Sequence, residues 1–178
     1  VIIGYDPALT TDASAVVVIA TPTKDYPFYR VLEKYNYHGN RFEEQAAAIK
    51  QLTERFNVLH IGIDSTAIGA AVYQLVQEDF YNTTGKPGTA ALKYMLVTQG
   101  QGLFRQNRLK FSQDWTEIFE CFMAITTGTT RSDSIVIETS RTQANAHGDY
   151  AWAILYGIGF YESITGETHE QEARGGVY

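Results

Sequence analysis

Cysteine is almost absent. Cys121 is the only one in the chain, which excludes an internal disulfide framework and leaves no thiolate cluster for zinc. A reduced, cytosolic setting suits that usage. Long apolar runs are missing too: none approaches the roughly 20 residues of a membrane-spanning helix. No basic stretch stands at the start, where VIIGYD reads as a strand and not as a signal peptide. No segment repeats and none is of low complexity. Positive charge is in deficit, with 14 Lys and Arg against 20 Asp and Glu and a net charge of −6. That balance argues against a simple nucleic-acid coat. It still admits a nucleic-acid enzyme on either of two conditions. Clustered acidic metal ligands can lower the net charge without describing the substrate-facing surface, or a partner domain can carry most of the affinity.

What is present is an ordinary globular composition, 44% hydrophobic and 19% charged over 178 residues, enough for one domain with one core. The chain opens in an apolar strand without an initiating methionine, as a domain taken from a longer polypeptide does. From Thr165 onward it is polar and glycine-rich and is expected to fray. The domain is therefore set at residues 1–162, with 163–178 as a flexible tail.

Val1 to Tyr5 is a short apolar run ending at Asp6. Ser14 to Ala20, SAVVVIA, is β-branched and nearly all apolar, as a strand buried on both faces should be. The DPALTTDA between them is a turn-rich connector. Phe28 to Tyr37 mixes aromatic and charged residues and suits a more exposed third strand. Short connectors imply an antiparallel meander. Asn40 and Glu43 make a capping-box-like start to a helix whose Phe42, Ala46, Ile49, Leu52 and Phe56 share one face. Val58 to Ile63 is a fourth strand ending at Asp64. Ile68, Ala71, Val72, Leu75 and Val76 mark an amphipathic helix with Ser65 or Thr66 as N-cap, and strand, tight turn and helix together favour a parallel pairing. Leu92 to Val97 is read as the fifth strand. Ser112 caps a helix carrying Trp115, Ile118, Phe119, Phe122 and Met123, with Asp114 and Glu117 in its first turn. Asp149 opens a last helix, YAWAILYGIGFY, apolar almost all round and therefore buried. A three-strand meander followed by alternating helices and strands is the order of an RNase H-like α/β fold, a mixed sheet of about five main strands flanked by helices. Other α/β folds share much of that order.

Three acids stand at element tips: Asp6 ends the first strand, Asp64 ends the fourth, and Asp149 starts the last helix. In open α/β sheets, sites form beyond the carboxyl ends of strands, so Asp6 and Asp64 enter one crevice if strands one and four are neighbours. Crowded carboxylates repel one another strongly at low effective dielectric and persist where a cation neutralises them. Oxygen donors without Cys or paired His suit Mg²⁺ or Mn²⁺. Two such ions about 4 Å apart can clamp a scissile phosphate, one lowering the pKa of an attacking water and the other stabilising the leaving oxygen. Each acid alone reads as well as a turn former or helix cap, and Asp64, followed by Ser and Thr, fits the capping role. It is the set of three, in order, that favours the metal reading.

These segments have counterparts. GYDPALTTDASAVVV resembles the first acidic strand-loop-strand of large terminase nuclease domains. IGIDSTAIGAAVYQLV resembles their second acidic motif, an Asp followed by a small-residue turn and a helix. HGDYAWAILYG is similar to their third, where H-x-D begins an alanine-rich helix. The resemblance runs from Val1 to about Tyr161. It implies the nuclease domain of a bacteriophage large terminase subunit, in the RNase H-like superfamily: a divalent-metal-dependent endonuclease that hydrolyses phosphodiester bonds of concatemeric double-stranded DNA with little sequence preference. It implies Asp6, Asp64 and Asp149 as catalytic metal ligands for two Mg²⁺ or Mn²⁺ ions, with Asp6 bridging and the others holding one each. It also implies a motor ATPase domain upstream in the same polypeptide, a small terminase subunit and a portal as partners, and the host cytoplasm as location. The chain itself has no G-x-x-x-x-G-K-[ST] loop.

Secondary candidates surround that core. Asp12, Ser65 and His147 are outer-shell candidates: Asp12 near Asp6, Ser65 near the metals, His147 orienting a water or touching the phosphate. Each also has a plain reading, as loop cap, N-cap or backbone-bonded loop histidine. Glu138 in IVIETS reads better as a solvent-facing strand residue than as a further ligand. His60 reads as a satisfied interior or surface histidine and Cys121 as core packing, while the 12 tyrosines are scattered and form no stacking platform. For DNA phosphates, Arg105, Arg108 and Lys110 form the best basic cluster. Lys86 and Lys93 flank or enter the expected fifth strand. Arg131 and Arg141 lie in the 128–148 connector, which is long enough for a flap or hairpin. Any one of these cations is also ordinary surface charge. A monomer is expected. Three other readings stay open. A Holliday-junction resolvase or transposase core would use the same acids. An actin-like or sugar-kinase ATPase fragment also opens with an Asp hairpin, although PALTTDA lacks paired glycines. A catalytically silent DNA-docking module suits the net charge no worse than an enzyme does.

Overall fold

A computed structural model of the chain describes residues 1–7, 13–38, 41–129, 135–139 and 149–175. In chain order the elements are β1 (Ile2–Asp6), β2 (Ala13–Ala20), β3 (Tyr29–His38), α1 (Phe42–Arg55), β4 (His60–Asp64), α2 (Ile68–Asp79), β5 (Thr83–Lys86), α3 (Ala90–Arg105), β6 (Leu109–Lys110), α4 (Thr116–Met123), β7 (Ile125–Thr129), β8 (Ile135–Thr139) and α5 (Asp149–Gly175). Among the described residues one six-stranded sheet has the order β5-β4-β1-β2-β3-β6, and β7 and β8 pair as a separate hairpin. The expected meander is present, β1 to β2 and β2 to β3 both antiparallel. The parallel pairings are β1 with β4 and β4 with β5, with α1 leading into β4 and α2 into β5, and β3 with β6 at the other edge. The mixed α/β architecture read from the sequence is the one observed. No helix of the described residues is long and apolar enough to cross a membrane.

Strand alternation divides the sheet into two faces. Ile3, Tyr5, Val16, Val18, Ile61 and Ile63 turn to one face and pack with Ala46, Ile49 and Leu52 of α1 and Val72 and Val76 of α2. Ile2, Ala15, Val17 and Ile19 turn to the other, against Ala153, Ile154 and Ile158 of α5. The far side of α5 is covered as well: Trp152, Leu155, Tyr156 and Phe160 cluster with Leu96 of α3. Every residue from 151 to 160 is buried, which is why that helix is apolar all round. Fully burying one such large side chain contributes about 1.5–3 kcal/mol, so this central helix is a principal source of stability. It also lies unusually close to the sheet. A Cβ on Gly4 would stand 1.9 Å from the Ala153 carbonyl oxygen, and one on Gly62 2.4 Å from that of Tyr156.

Several local expectations are corrected. Leu92 to Val97 is not a strand but lies inside α3, whose N-cap Thr89 accepts a hydrogen bond from the Leu92 N–H at 3.3 Å. Leu96, Gly100 and Leu103 are its buried stripe, at helical spacing. The strand that continues the sheet is the polar TTGK of β5. Helix α1 starts after Arg41, whose N–H donates to Glu44 Oε2 at 3.3 Å, in place of an Asn40–Glu43 box; Asn40 lies outside the described residues. Phe42 is exposed, leaving Ala46, Ile49 and Leu52 as the buried face. The N-cap of α2 is Ala67 at φ 50°, neither Ser65 nor Thr66. Helix α4 follows Trp115, and Ser112 instead accepts from the Asp114 N–H at 3.3 Å. Helix α5 spans Asp149–Gly175.

Candidate active site

Strands β1 and β4 run in register, Tyr5 opposite Ile63, and each ends in its carboxylate, Asp6 or Asp64. By alternation both acids share the face of Gly4 and Gly62, the face on which α5 lies. The first residue of α5 is Asp149. The glycine contacts therefore bring a helix start to the tips of two neighbouring strands. The electrostatics show the encounter. Asp6 keeps partial exposure, yet the protein packed around it, then the charge of Asp149 and then that of Asp64 raise its pKa well above the ordinary carboxylate value, while Lys93 opposes the rise. Among the described residues no three His, Cys, Asp or Glu side chains close on one ion-sized point. Asp149 and Asp64 both act on Asp6 at Coulombic range, without the three closing on a single centre. An all-oxygen set of this kind, with mutual repulsion to relieve, fits hard divalent cations.

Asp64 is buried, at 7% exposure. Its Oδ1 accepts from the Thr66 N–H at 2.9 Å and the Thr66 hydroxyl at 2.6 Å, and its Oδ2 accepts from the Tyr156 hydroxyl at 2.8 Å. Thr66 Oγ1 accepts in turn from the Gly88 N–H at 2.9 Å. Burial and then the charge of Asp64 hold the Tyr156 phenol far above its usual pKa, so it remains a donor. The capping role of Asp64 is thus realised within its own turn, through Thr66, and not at the first turn of α2.

Residues 3–159 match the family described as Terminase RNaseH-like domain. The chain is 35% identical over 157 residues to the terminase ATPase subunit of Escherichia phage P2, covering 88% of this chain and 27% of that protein. It is 33% identical over 164 residues to the probable terminase ATPase subunit of Haemophilus phage HP1, covering 87% and 26%. The chain belongs to the terminase RNase H-like domain family. It spans about a quarter of the length of these relatives. Among solved structures, the large terminase nuclease from thermophilic phage G20c with bound magnesium superposes with a TM-score of 0.72 at 19% identity, covering 88% of this chain and 79% of that one. The HK97 bacteriophage large terminase superposes with a TM-score of 0.67 at 10% identity, covering 89% and 39%. The fold is that of large terminase nuclease domains, as the three acidic segments implied, and membership sets aside the actin-like and sugar-kinase reading.

The other candidates of this terminase domain separate. Lys93, on α3, lies within electrostatic reach of Asp6, its Nζ 5.0 Å from the centre of the Trp152 ring. Lys86 ends β5 opposite Asp64, its Nζ 5.6 Å from the Phe160 ring. Of the two, Lys93 acts on an acid directly, and Lys86 is next to Asp64 by strand register. Arg108 and Lys110 lie by β6, the far edge of the sheet from β5, where Arg108 approaches Glu162 at 4.0 Å and Lys110 bonds Asn107. Arg105, at the end of α3, bonds Gln101 at 3.2 Å. Ser65 donates its N–H to the Lys86 carbonyl at 3.1 Å, tying the turn after β4 to β5. Glu138 is exposed on β8, in a hairpin that begins before the expected connector, at Ile125. Cys121 is buried core. His60 is interior but not satisfied: among the described residues its Nε2 has no partner, and burial lowers its pKa to about 4. Asp12, His147, Arg131 and Arg141 lie outside the described residues. Thr66 and Tyr156 were missed as partners of Asp64. The available signal was Tyr156 itself, seven residues after Asp149 on the same face of an apolar helix, since a buried phenol needs an acceptor.

Proposed function

We propose that this terminase domain is a divalent-metal-dependent endonuclease that hydrolyses phosphodiester bonds of concatemeric double-stranded DNA during packaging. The observation that carries the reading is the meeting of Asp6, Asp64 and Asp149 at the tips of β1, β4 and α5, where burial and like charge leave Asp6 strongly biased against ionising alone. Asp6, Asp64 and Asp149 would hold two Mg²⁺ or Mn²⁺ ions, with Asp6 shared; when bound, the ions supply an acidified water and neutralise the leaving oxygen. The G20c nuclease was crystallised with magnesium and the SPP1 nuclease domain with manganese, which supports an oxygen-ligated divalent ion here. Rigid elements hold each carboxylate, as metal-dependent chemistry requires. Lys93 and Lys86, beside the acids, are the best-placed cations to meet the phosphates on either side of the cut, with Ser65, Asp12 and His147 as outer-shell candidates. The P2 relative is named an ATPase subunit and is covered over only 27% of its length, which supports a motor domain elsewhere in the same polypeptide. The small terminase subunit and the portal are the expected partners, and the host cytoplasm the expected place of action.

The test is nicking and linearisation of supercoiled plasmid with Mn²⁺, Mg²⁺ or EDTA. Cutting is expected only with metal, and Asp6→Ala, Asp64→Ala and Asp149→Ala should each abolish it while keeping the parent's circular dichroism. Intact plasmid under every condition, from a folded protein that binds no metal, would refute the proposal in favour of a silent docking module.

A further inference from the structure

We infer that Thr66 and Tyr156 are positioning residues that fix the Asp64 carboxylate so that it meets metal through Oδ2 alone. The inference rests on the reading of Asp64 as a ligand. An ionised carboxylate offers about four lone-pair sites. The Thr66 N–H and hydroxyl take both sites of Oδ1, and the Tyr156 hydroxyl takes one of Oδ2. At most one site remains, on Oδ2, so Asp64 can serve one ion and cannot chelate it through both oxygens.

The three donors come from two residues in separate parts of the fold, Thr66 after β4 and Tyr156 in α5, and both residues are themselves held. Tyr156 is fully buried, its ring packed between Trp152 at 6.2 Å and Phe160 at 5.5 Å between centroids, so the phenol has no room to swing away. Thr66 is fixed from its other side by the Gly88 N–H. Gly88 closes over the pair: a Cβ there would lie 2.6 Å from the Tyr156 hydroxyl oxygen and 2.9 Å from Asp64 Oδ2. The turn after β4, the turn before α3 and the middle of α5 therefore converge on one carboxylate. Hydrogen-bond partners of metal ligands typically matter by about 10–100-fold in metal affinity or activity.

The experiment is calorimetric titration of Mn²⁺ into the purified chain, with the Mn²⁺ dependence of plasmid nicking measured in parallel. Tyr156→Phe and Thr66→Val are each expected to shift the Mn²⁺ midpoint upward by about 10–100-fold in both measurements. Thr66→Ser, which keeps the hydroxyl, is expected to bind as the parent does. Parent-like Mn²⁺ affinity in Tyr156→Phe and Thr66→Val would overturn the inference, as would a Thr66→Ser defect equal to that of Thr66→Val. Thr66 is exposed, so Thr66→Val retains the fold and decides the matter if Tyr156→Phe does not fold. Asp64→Ala distinguishes the two levels. Loss of Mn²⁺ binding there, with binding intact in the other two variants, removes the positioning role alone. Parent-like binding and cutting by Asp64→Ala removes the ligand reading itself, and the inference with it.

Discussion

Gly4→Ala strikes the contact that carries Asp149 to Asp6. The new Cβ would sit 1.9 Å from the Ala153 oxygen, 2.8 Å from its carbonyl carbon and 3.1 Å from the Gly157 nitrogen, where ordinary contact begins near 3.4 Å. Every one of those atoms is backbone, so no rotamer change relieves the clash. Helix α5 must lift from β1 by about 1.5 Å, or the strand must sink into the opposite core. Overpacking a well-filled core costs about 1–3 kcal/mol, and a backbone clash between two buried elements belongs at the upper end. For a chain of this size that is a fall of roughly 5–10 °C in Tm. Asp149 precedes Ala153 by about one helical turn, so the lift also displaces it from Asp6, and misplacement by about 1 Å in an active site can cost 10²-fold in rate. Gly102→Ala is the control. Nothing lies within 4 Å of a Cβ there, and alanine inside α3 should gain about 0.5–1 kcal/mol with cutting unchanged. Urea midpoints and Mn²⁺-dependent plasmid nicking measure both arms. A Gly4→Ala protein as stable and as active as the parent would refute the argument that backbone contact sets the site.

Three further perturbations have definite signs. Burial lowers the His60 pKa from 6.5 to about 4, so its stabilising contribution is complete above the unfolded value and is lost as pH falls through the window to the folded one, by up to about 3 kcal/mol. His60→Gln should flatten that part of the urea-midpoint profile, and an unchanged profile would count against it. Asp6 has a raised pKa, so the metal-free fold loses stability as pH rises from the ordinary carboxylate value to the raised one. Asp6→Asn should therefore melt higher than the parent in EDTA at neutral pH and show none of the parent's Mn²⁺-induced stabilisation, about 2.7 kcal/mol at 100 Kd of metal; a lower melting point in EDTA would sink this. On the other face of the sheet, Gln45 Oε1 accepts from the hydroxyls of Tyr5 and Ser14. Gln45→Leu removes that acceptor from a buried cluster, at about 1–3 kcal/mol, and a urea midpoint equal to the parent's would contradict it.

The parts of the fold legible in the sequence are those whose pattern is local. The β-branched run of β2, the apolar face of α2 and the uniformly apolar α5 each show their burial directly, and two strands ending in Asp lie side by side because the crossover between them is parallel. The α3–β5 region was misread because LKYMLV is too short an apolar run to separate strand from helix by periodicity. The true edge strand, TTGK, buries only Thr83 and carries almost no apolar signal. The partners of Asp64 were hidden for another reason. Tyr156 lies 92 residues away in the chain, and which acceptor a buried phenol finds depends on how α5 crosses the sheet, which no local pattern encodes.

The charge of the chain also becomes intelligible once the elements are placed. A net charge of −6 describes the whole surface, but on the proposed function a DNA backbone would approach the acids beside Lys93, within electrostatic reach of Asp6, and Lys86, which ends β5 opposite Asp64. Each of these ammonium groups lies over an aromatic ring of α5, Trp152 or Phe160. Such a cation keeps its stem on apolar surface and its charge at the rim, and loses less freedom when a phosphate arrives than a lysine ranging through solvent. The helix that supplies Asp149 thus also supplies the aromatic rests for the cations beside it. On the proposed function, metal ligands and phosphate-facing charges are registered against one buried element, so a displacement of α5 would disturb both together, whereas Arg105, Arg108 and Lys110 carry their charge outside that arrangement.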